Sequence, residues 1–90
     1  MTKVMLITGA GRGIGAATAK HAAQAGYAVA INYRSDKASA EGVVSDIEAS
    51  GGRAIAIQAD VADEADIVAM FEAVDREFGR LDVLVNNAGI

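Results

Sequence analysis

The sequence predicts an α/β fold of the doubly wound, parallel-sheet class, and three observations carry that prediction. Four short apolar runs recur along the 90 residues, at Val4–Thr8, Ala28–Asn32, Ala54–Gln58 and Val83–Asn86. Each run is continuous rather than alternating, as in strands covered by helices on both faces. The three segments between them are longer and carry helix-start and helix-stop signals, so strands and helices alternate as repeated βαβ units.

Each element has its own justification. After the first run a helix is expected from Gly13 to about Ala25, with Gly26 just beyond its C-cap. Ala16, Ala19, Ala22 and Ala23 keep this helix slim, which allows close approach to the sheet. A second helix is expected over roughly Asp36–Ser50, capped by Ser35 or Asp36, with Val43, Val44 and Ile47 facing inward and Gly51-Gly52 ending it. The third helix starts at the N-cap Asp63, has acidic residues in its first turn, and closes at Gly79. Its apolar stripe reads Ile67, Phe71, Val74 and Phe78. Right-handed crossovers then order the strands 3-2-1-4. No proline, repeat or linker interrupts the pattern.

Composition narrows the function classes. Hydrophobic residues make up 52% of the chain and charged residues 22%, the balance of a folded globular chain. The length allows one domain at most, with a small core. A net charge of −4, without a basic run, argues against nucleic acid or an anionic membrane as partner. The chain has no cysteine, so it holds neither a disulfide nor a thiolate metal site. Its one histidine, His21, makes no metal cluster and is expected on the surface of the first helix. The first apolar run is too short for a signal-peptide core or a spanning helix. The expected setting is a soluble, cytoplasmic protein.

Between the first strand and the first helix lies Thr8-Gly9-Ala10-Gly11-Arg12-Gly13-Ile14-Gly15. Glycines in such a turn permit positive φ, let the backbone approach a phosphate, and allow tight helix–strand packing. The helix that follows aims free N–H groups and its positive dipole end at an anion. The reading is a Rossmann-type dinucleotide-binding unit with a pyrophosphate seated on Gly9–Gly15; a glycine-rich connection without a ligand is the plainer alternative. Register from the strand gives Gly9-x-x-x-Gly13-x-Gly15, which fits better than the common G-x-G-x-x-G, although Gly11-x-Gly13-x-x-Ala16 satisfies the looser form.

These residues resemble the short-chain dehydrogenase/reductase family in its compact form. Thr8-Gly9-x-x-x-Gly13-x-Gly15 is similar to the family's cofactor signature, and Asn86-Asn87-Ala88-Gly89 after the fourth strand to its second hallmark. Asp60-Val61 after the third strand is similar to a third, where the family places a carboxylate near the adenine amino group. The turn and the strand end Asn32-Tyr33-Arg34 are similar to those of bacterial 3-oxoacyl-carrier-protein reductases and related sugar or alcohol dehydrogenases. The resemblance implies that Asn87 ties neighbouring strands and that Asn87, Ala88 and Gly89 line the nicotinamide-side ribose. On the residues alone, the Asn-Asn-Ala-Gly stretch also reads as a strand-end turn, Asp60 as a turn residue and Thr8 as strand-end packing.

The resemblance also bears on the choice of cofactor. The 2′-phosphate of NADP carries a charge of about −1.5 to −2, so a protein selecting it needs cations there and no carboxylate. No acidic residue precedes Asp36, which is assigned to the start of the second helix. Arg12 and Arg34 stand where NADP-preferring members carry basic residues, and Asn32 and Ser35 are expected to add neutral hydrogen bonds. Two charge-assisted bonds at roughly 1.5–3 kcal/mol each correspond to about a 10²-fold preference; two ordinary surface charges are the alternative. The expected cofactor is NADP(H). Its expected contacts are Gly9, Arg12, Gly13, Ile14, Gly15, Asn32, Tyr33, Arg34, Ser35, Asp60, Val61, Asn87, Ala88 and Gly89.

For chemistry, the resemblance implies hydride transfer between nicotinamide and a carbonyl or alcohol substrate, with a Y-x-x-x-K pair as the acid/base. Tyr27 fails this spacing, because Ile31 follows where lysine should stand. Tyr33 and Lys37 match formally, but at the adenine end of the site, and are rejected. No catalytic and no metal-ligating residue is assigned. The 90 residues are expected to be the N-terminal part of a single dinucleotide-binding domain, belonging to a homo-oligomer that is tetrameric by resemblance. The alternative class is a free-standing or regulatory nucleotide-binding module without catalysis.

Overall fold

The fold comes from a computed structural model that describes residues 2–87. Strands β1 (Val4–Ile7), β2 (Ala28–Tyr33), β3 (Ala54–Gln58) and β4 (Val83–Val85) alternate with helices α1 (Gly13–Gln24), α2 (Lys37–Ala49) and α3 (Glu64–Phe78). All strand pairs are parallel and the sheet order is β3-β2-β1-β4, as the sequence predicts. Strand ends differ by one residue: β1 and β4 stop at Ile7 and Val85, while β2 continues to Tyr33, opposite Gln58.

Alternate side chains of β1, β2 and β3 feed two separate cores. Ile7, Val29, Ile31 and Ala54 face α1 and α2, meeting Ala19, Ala22, Ala40, Val43 and Ile47. Val4, Leu6, Ala28 and Ala30 face the other way, toward Met70 and Val74 of α3. The alanines of α1 do what their size allows, and Ala19 is fully buried against the sheet. Burying a Leu, Ile or Val in this way contributes about 1.5–3 kcal/mol relative to exposure.

The stripe predicted for α3 is corrected at Phe71, which is 36% exposed, while Met70 is buried. The helix turns its Met70–Val74 edge to the small Ala28 and Ala30 of β2. Phe71, one residue round from Met70, is left on the flank beside Leu84, itself 49% exposed. His21 is exposed, as expected.

At the opposite end of the sheet from the glycine turn, Asp82 fastens β4 to β1. Its N–H donates to the Val4 carbonyl at 2.9 Å, and its carboxylate accepts from the Val4 N–H at 2.8 Å. Arg80 grips the same carboxylate through two bonds, at 2.9 and 2.6 Å. The Arg80 hydrogen bonds, followed by the Val4 N–H, hold the Asp82 carboxyl below its ordinary value, and the Arg80 guanidinium is correspondingly raised.

Candidate functional site

The turns that follow the C-terminal ends of the four strands gather at one edge of the sheet, where open α/β sheets bind their ligands. The turn after β1 is built on two left-handed glycines, Gly9 (φ 61°) and Gly13 (φ 63°). Gly15 is needed for a different reason. A Cβ there would lie 2.7 Å from both the Gly9 carbonyl and the Asn87 side-chain nitrogen. Glycine at that position lets α1 pack down onto the turn.

Thr8 and the residues after β4 hold the turn from one side. The Thr8 hydroxyl accepts from the Asn87 N–H at 2.9 Å and donates to Asn86 Oδ1 at 3.1 Å, and Asn87 Nδ2 donates to the Gly9 carbonyl at 3.1 Å. Thr8 thus anchors the turn in addition to packing, and Asn87 ties β4 to β1. Ala88 and Gly89, expected as ribose contacts, lie outside the described residues.

Asn32, expected among the cofactor contacts, is 2% exposed and its amide is hydrogen-bonded within the fold. Oδ1 accepts from the Gly9 N–H at 3.1 Å, and Nδ2 donates to the carbonyls of Ala59 at 3.1 Å and Ile57 at 3.4 Å. A buried amide must satisfy its polar atoms internally. Here that requirement takes up both donors.

The other candidate residues occupy the rim. Arg12 is the N-cap of α1 and is exposed, in extended backbone, with no side-chain capping bond. Asp36 and Asp63 do cap α2 and α3. The first turn of α1 also lacks an acidic residue, and nothing lies within 4 Å of where a Gly13 Cβ would stand. Free N–H groups, a positive dipole end and open space fit a phosphate group. Ile14 projects from this turn, 80% exposed.

Arg34 has a side chain 80% exposed, and its Nε lies 3.9 Å from Asp60 Oδ2. A long, exposed pair of this kind contributes little and leaves the guanidinium available. Ser35 is exposed beside it, and Tyr33 is half-buried against the α1/α2 core. Asp36 is no rival for a phosphate. Its carboxylate accepts from the Ser39 N–H and hydroxyl at 3.1 and 2.7 Å. Those bonds, the hydroxyl first, lower its pKa, with a smaller contribution from the Arg12 charge.

Asp60 and Val61 follow β3. Asp60 Oδ1 accepts from the Ala62 N–H at 2.9 Å, and Val61 packs against the α3-side core. The Asp60 N–H donates to Asp66 Oδ2 at 2.8 Å, a support that sequence reading misses because an acid in a first helical turn reads as a dipole partner. The strand order puts Tyr33 and Lys37 on the β2–β3 side, across β1 from Asn87. No group of residues suited to a metal ion occurs among the described residues.

Residues 3–90 match the family model described as short chain dehydrogenase. An uncharacterized oxidoreductase of Methylorubrum extorquens is 54% identical over 88 residues, which is 98% of this chain and 36% of the relative. The 3-oxoacyl-[acyl-carrier-protein] reductase FabG of Staphylococcus aureus is 54% identical over all 90 residues, 37% of that protein. A dehydrogenase/reductase from Sinorhizobium meliloti superimposes with a TM-score of 0.96 at 46% identity, over 100% of this chain and 36% of the other. A short chain dehydrogenase from Burkholderia cenocepacia, solved in complex with NADP, gives 0.93 at 53% identity, over 98% and 36%. The chain therefore spans little more than a third of the length of these relatives.

Proposed function

The chain belongs to the short-chain dehydrogenase family, and from that premise we propose that it forms the cofactor-binding part of an NADP(H)-dependent oxidoreductase. The observation that carries the reading is the N-terminus of α1, which has no side-chain cap and no acid in its first turn. It opens beside two arginines, Arg12 and Arg34. Gly9, Gly13, Ile14 and Gly15 form the pyrophosphate seat, with the backbone N–H groups at the start of α1 as its donors, since the Gly9 N–H is given to Asn32. Arg12 and Arg34 flank the 2′-phosphate, with the Ser35 hydroxyl in support, while Tyr33 closes that edge. Asp60 and Val61 border the adenine, and Asn87, Ala88 and Gly89 border the second ribose. Asn32 acts from inside the fold rather than on the ligand.

When bound, the nicotinamide supplies or accepts a hydride, and the substrate is a small molecule carrying a carbonyl or alcohol group. This chain's own residues bind and orient the cofactor; none is assigned the proton transfer. The NADP-bound structure of the Burkholderia relative and the reductase similarity support the cofactor choice. The same reading carries a homotetrameric assembly and a cytoplasmic location. No helix among the described residues is long and apolar enough to cross a membrane.

Calorimetric titration of the whole protein with NADPH and NADH tests the reading. NADPH should bind more tightly by up to about 10²-fold, and Arg34→Ala should remove most of that margin while leaving NADH unchanged. Tighter NADH binding, or an unchanged margin in Arg34→Ala, overturns the NADP assignment. Binding without oxidation of NADPH by any carbonyl in a broad panel returns the protein to the non-catalytic class.

A further inference from the structure

We propose that Asn32 is a positioning residue for cofactor binding: its buried amide fixes the Gly9 peptide and thereby the orientation of the phosphate-facing turn. The proposal rests on the NADP(H) reading above. It starts from an oddity of placement, since Asn32 is a polar residue only 2% exposed, one position from the end of β2 and followed by the exposed Arg34 and Ser35. A buried amide costs free energy unless its hydrogen bonds are made, and its oxygen has a single target in the glycine turn.

That target is Gly9 with its neighbour. Asn32 accepts twice from the turn, through Oδ1 from the Gly9 N–H at 3.1 Å and through its main-chain oxygen from the Ala10 N–H at 3.0 Å. From the β4 side, Asn87 Nδ2 donates to the Gly9 carbonyl at 3.1 Å. Gly9 lies at φ 61°, and a glycine has several backbone basins of similar energy. Its own sterics therefore do not set the direction of its peptide planes. The two asparagine amides set it, one from each flanking strand.

The donor pattern explains why this residue is asparagine. Nδ2 faces two carbonyls, those of Ala59 and Ile57, while Oδ1 faces an N–H. An ionised aspartate has no hydrogen to offer those carbonyls. Ala59 directly precedes Asp60, so the same amide joins the phosphate seat to the strand end that borders the adenine. Donors that hold a phosphate must keep within about 0.5 Å of their productive positions.

The test uses the whole protein, with NADPH, ADP and adenosine 2′-monophosphate as probes; only the first two carry a pyrophosphate. Asn32→Ala should weaken NADPH and ADP by about tenfold and leave adenosine 2′-monophosphate within about twofold. An equal loss for all three probes marks a general loss of structure and overturns the proposal, as does no loss at all. Asn32→Asp supplies the rescue. Once protonated, its carboxyl again accepts from Gly9 and donates to Ala59, so ADP affinity relative to wild type should recover as pH falls. Arg34, Asp36 and Asp60 flank these strand ends in both proteins, which makes wild type at each pH the control. A pH-independent defect counts against the proposal. Should the variants fail to fold, hydrogen exchange of the wild-type Gly9 amide decides: protection like that of the β1–β2 ladder supports the clamp, and exchange at a loop rate overturns it. Wild-type protein that binds no dinucleotide overturns the cofactor reading and the proposal together, whereas normal wild-type binding beside an unaffected Asn32→Ala overturns the proposal alone.

Discussion

Single residues in the turn carry different burdens. Gly13→Ala meets open space and pays only for a left-handed backbone, roughly 1–2 kcal/mol. Gly15→Ala drives a methyl into backbone, with Ala10 Cα at 2.9 Å and the Gly9 carbonyl at 2.7 Å. It should lower the thermal midpoint further than Gly13→Ala and weaken NADPH by more, measured by calorimetry on both variants; the reverse order contradicts the packing. The turn was legible in sequence because glycine at fixed spacing has few other uses. Asn32 was not, because a polar residue at a strand end reads as facing ligand or water. Only the carbonyls of Ile57 and Ala59, distant in sequence, turn it inward.

At the scale of elements, caps and clamps explain where helices and strands begin. Asp63 accepts from the N–H groups of Ala65 and Asp66 at 2.9 and 3.2 Å, so Asp63→Ala should destabilise the fold by about 1 kcal/mol in urea titration. Met70→Ala should cost about 2–4 kcal/mol and Phe71→Ala clearly less, the opposite of what the predicted stripe implies. That stripe was half legible. Periodicity locates an apolar face, but the choice between neighbouring positions depends on the small Ala28 and Ala30 across the interface. The Asp82 clamp has a pH signature. Its folded carboxyl titrates below its unfolded value, so its stabilisation is present above the unfolded pKa and is lost as pH falls through the folded one. Asp82→Asn should therefore flatten the acid limb of a stability–pH curve measured by denaturant melts. An unchanged limb would show that other carboxylates set it.

For the whole molecule, strand order followed from four apolar runs and the right-handed crossover rule, which leave few topologies open. What the sequence could not convey is the unequal packing of the two faces. Two helices cover the β1–β3 part of the sheet on one side, while on the other α3 leaves Leu84 and Phe71 exposed. Amide exchange should accordingly be slowest in β1 and β2 and fastest in α3 and β4. Mass spectrometry of deuterated peptides checks this, and uniform protection would contradict it.

The Val4–Asp82 contact joins residues 78 positions apart. During synthesis β1 leaves the ribosome long before β4 exists to complete it, and its outer edge must wait while β2 and β3 assemble on the other side. Closing so long a loop slows folding more than it costs in final stability. The strand that carries the phosphate turn is thus made well before β4 and gains its second neighbour only when β4 arrives, and Gly9 acquires its second asparagine only at that late step.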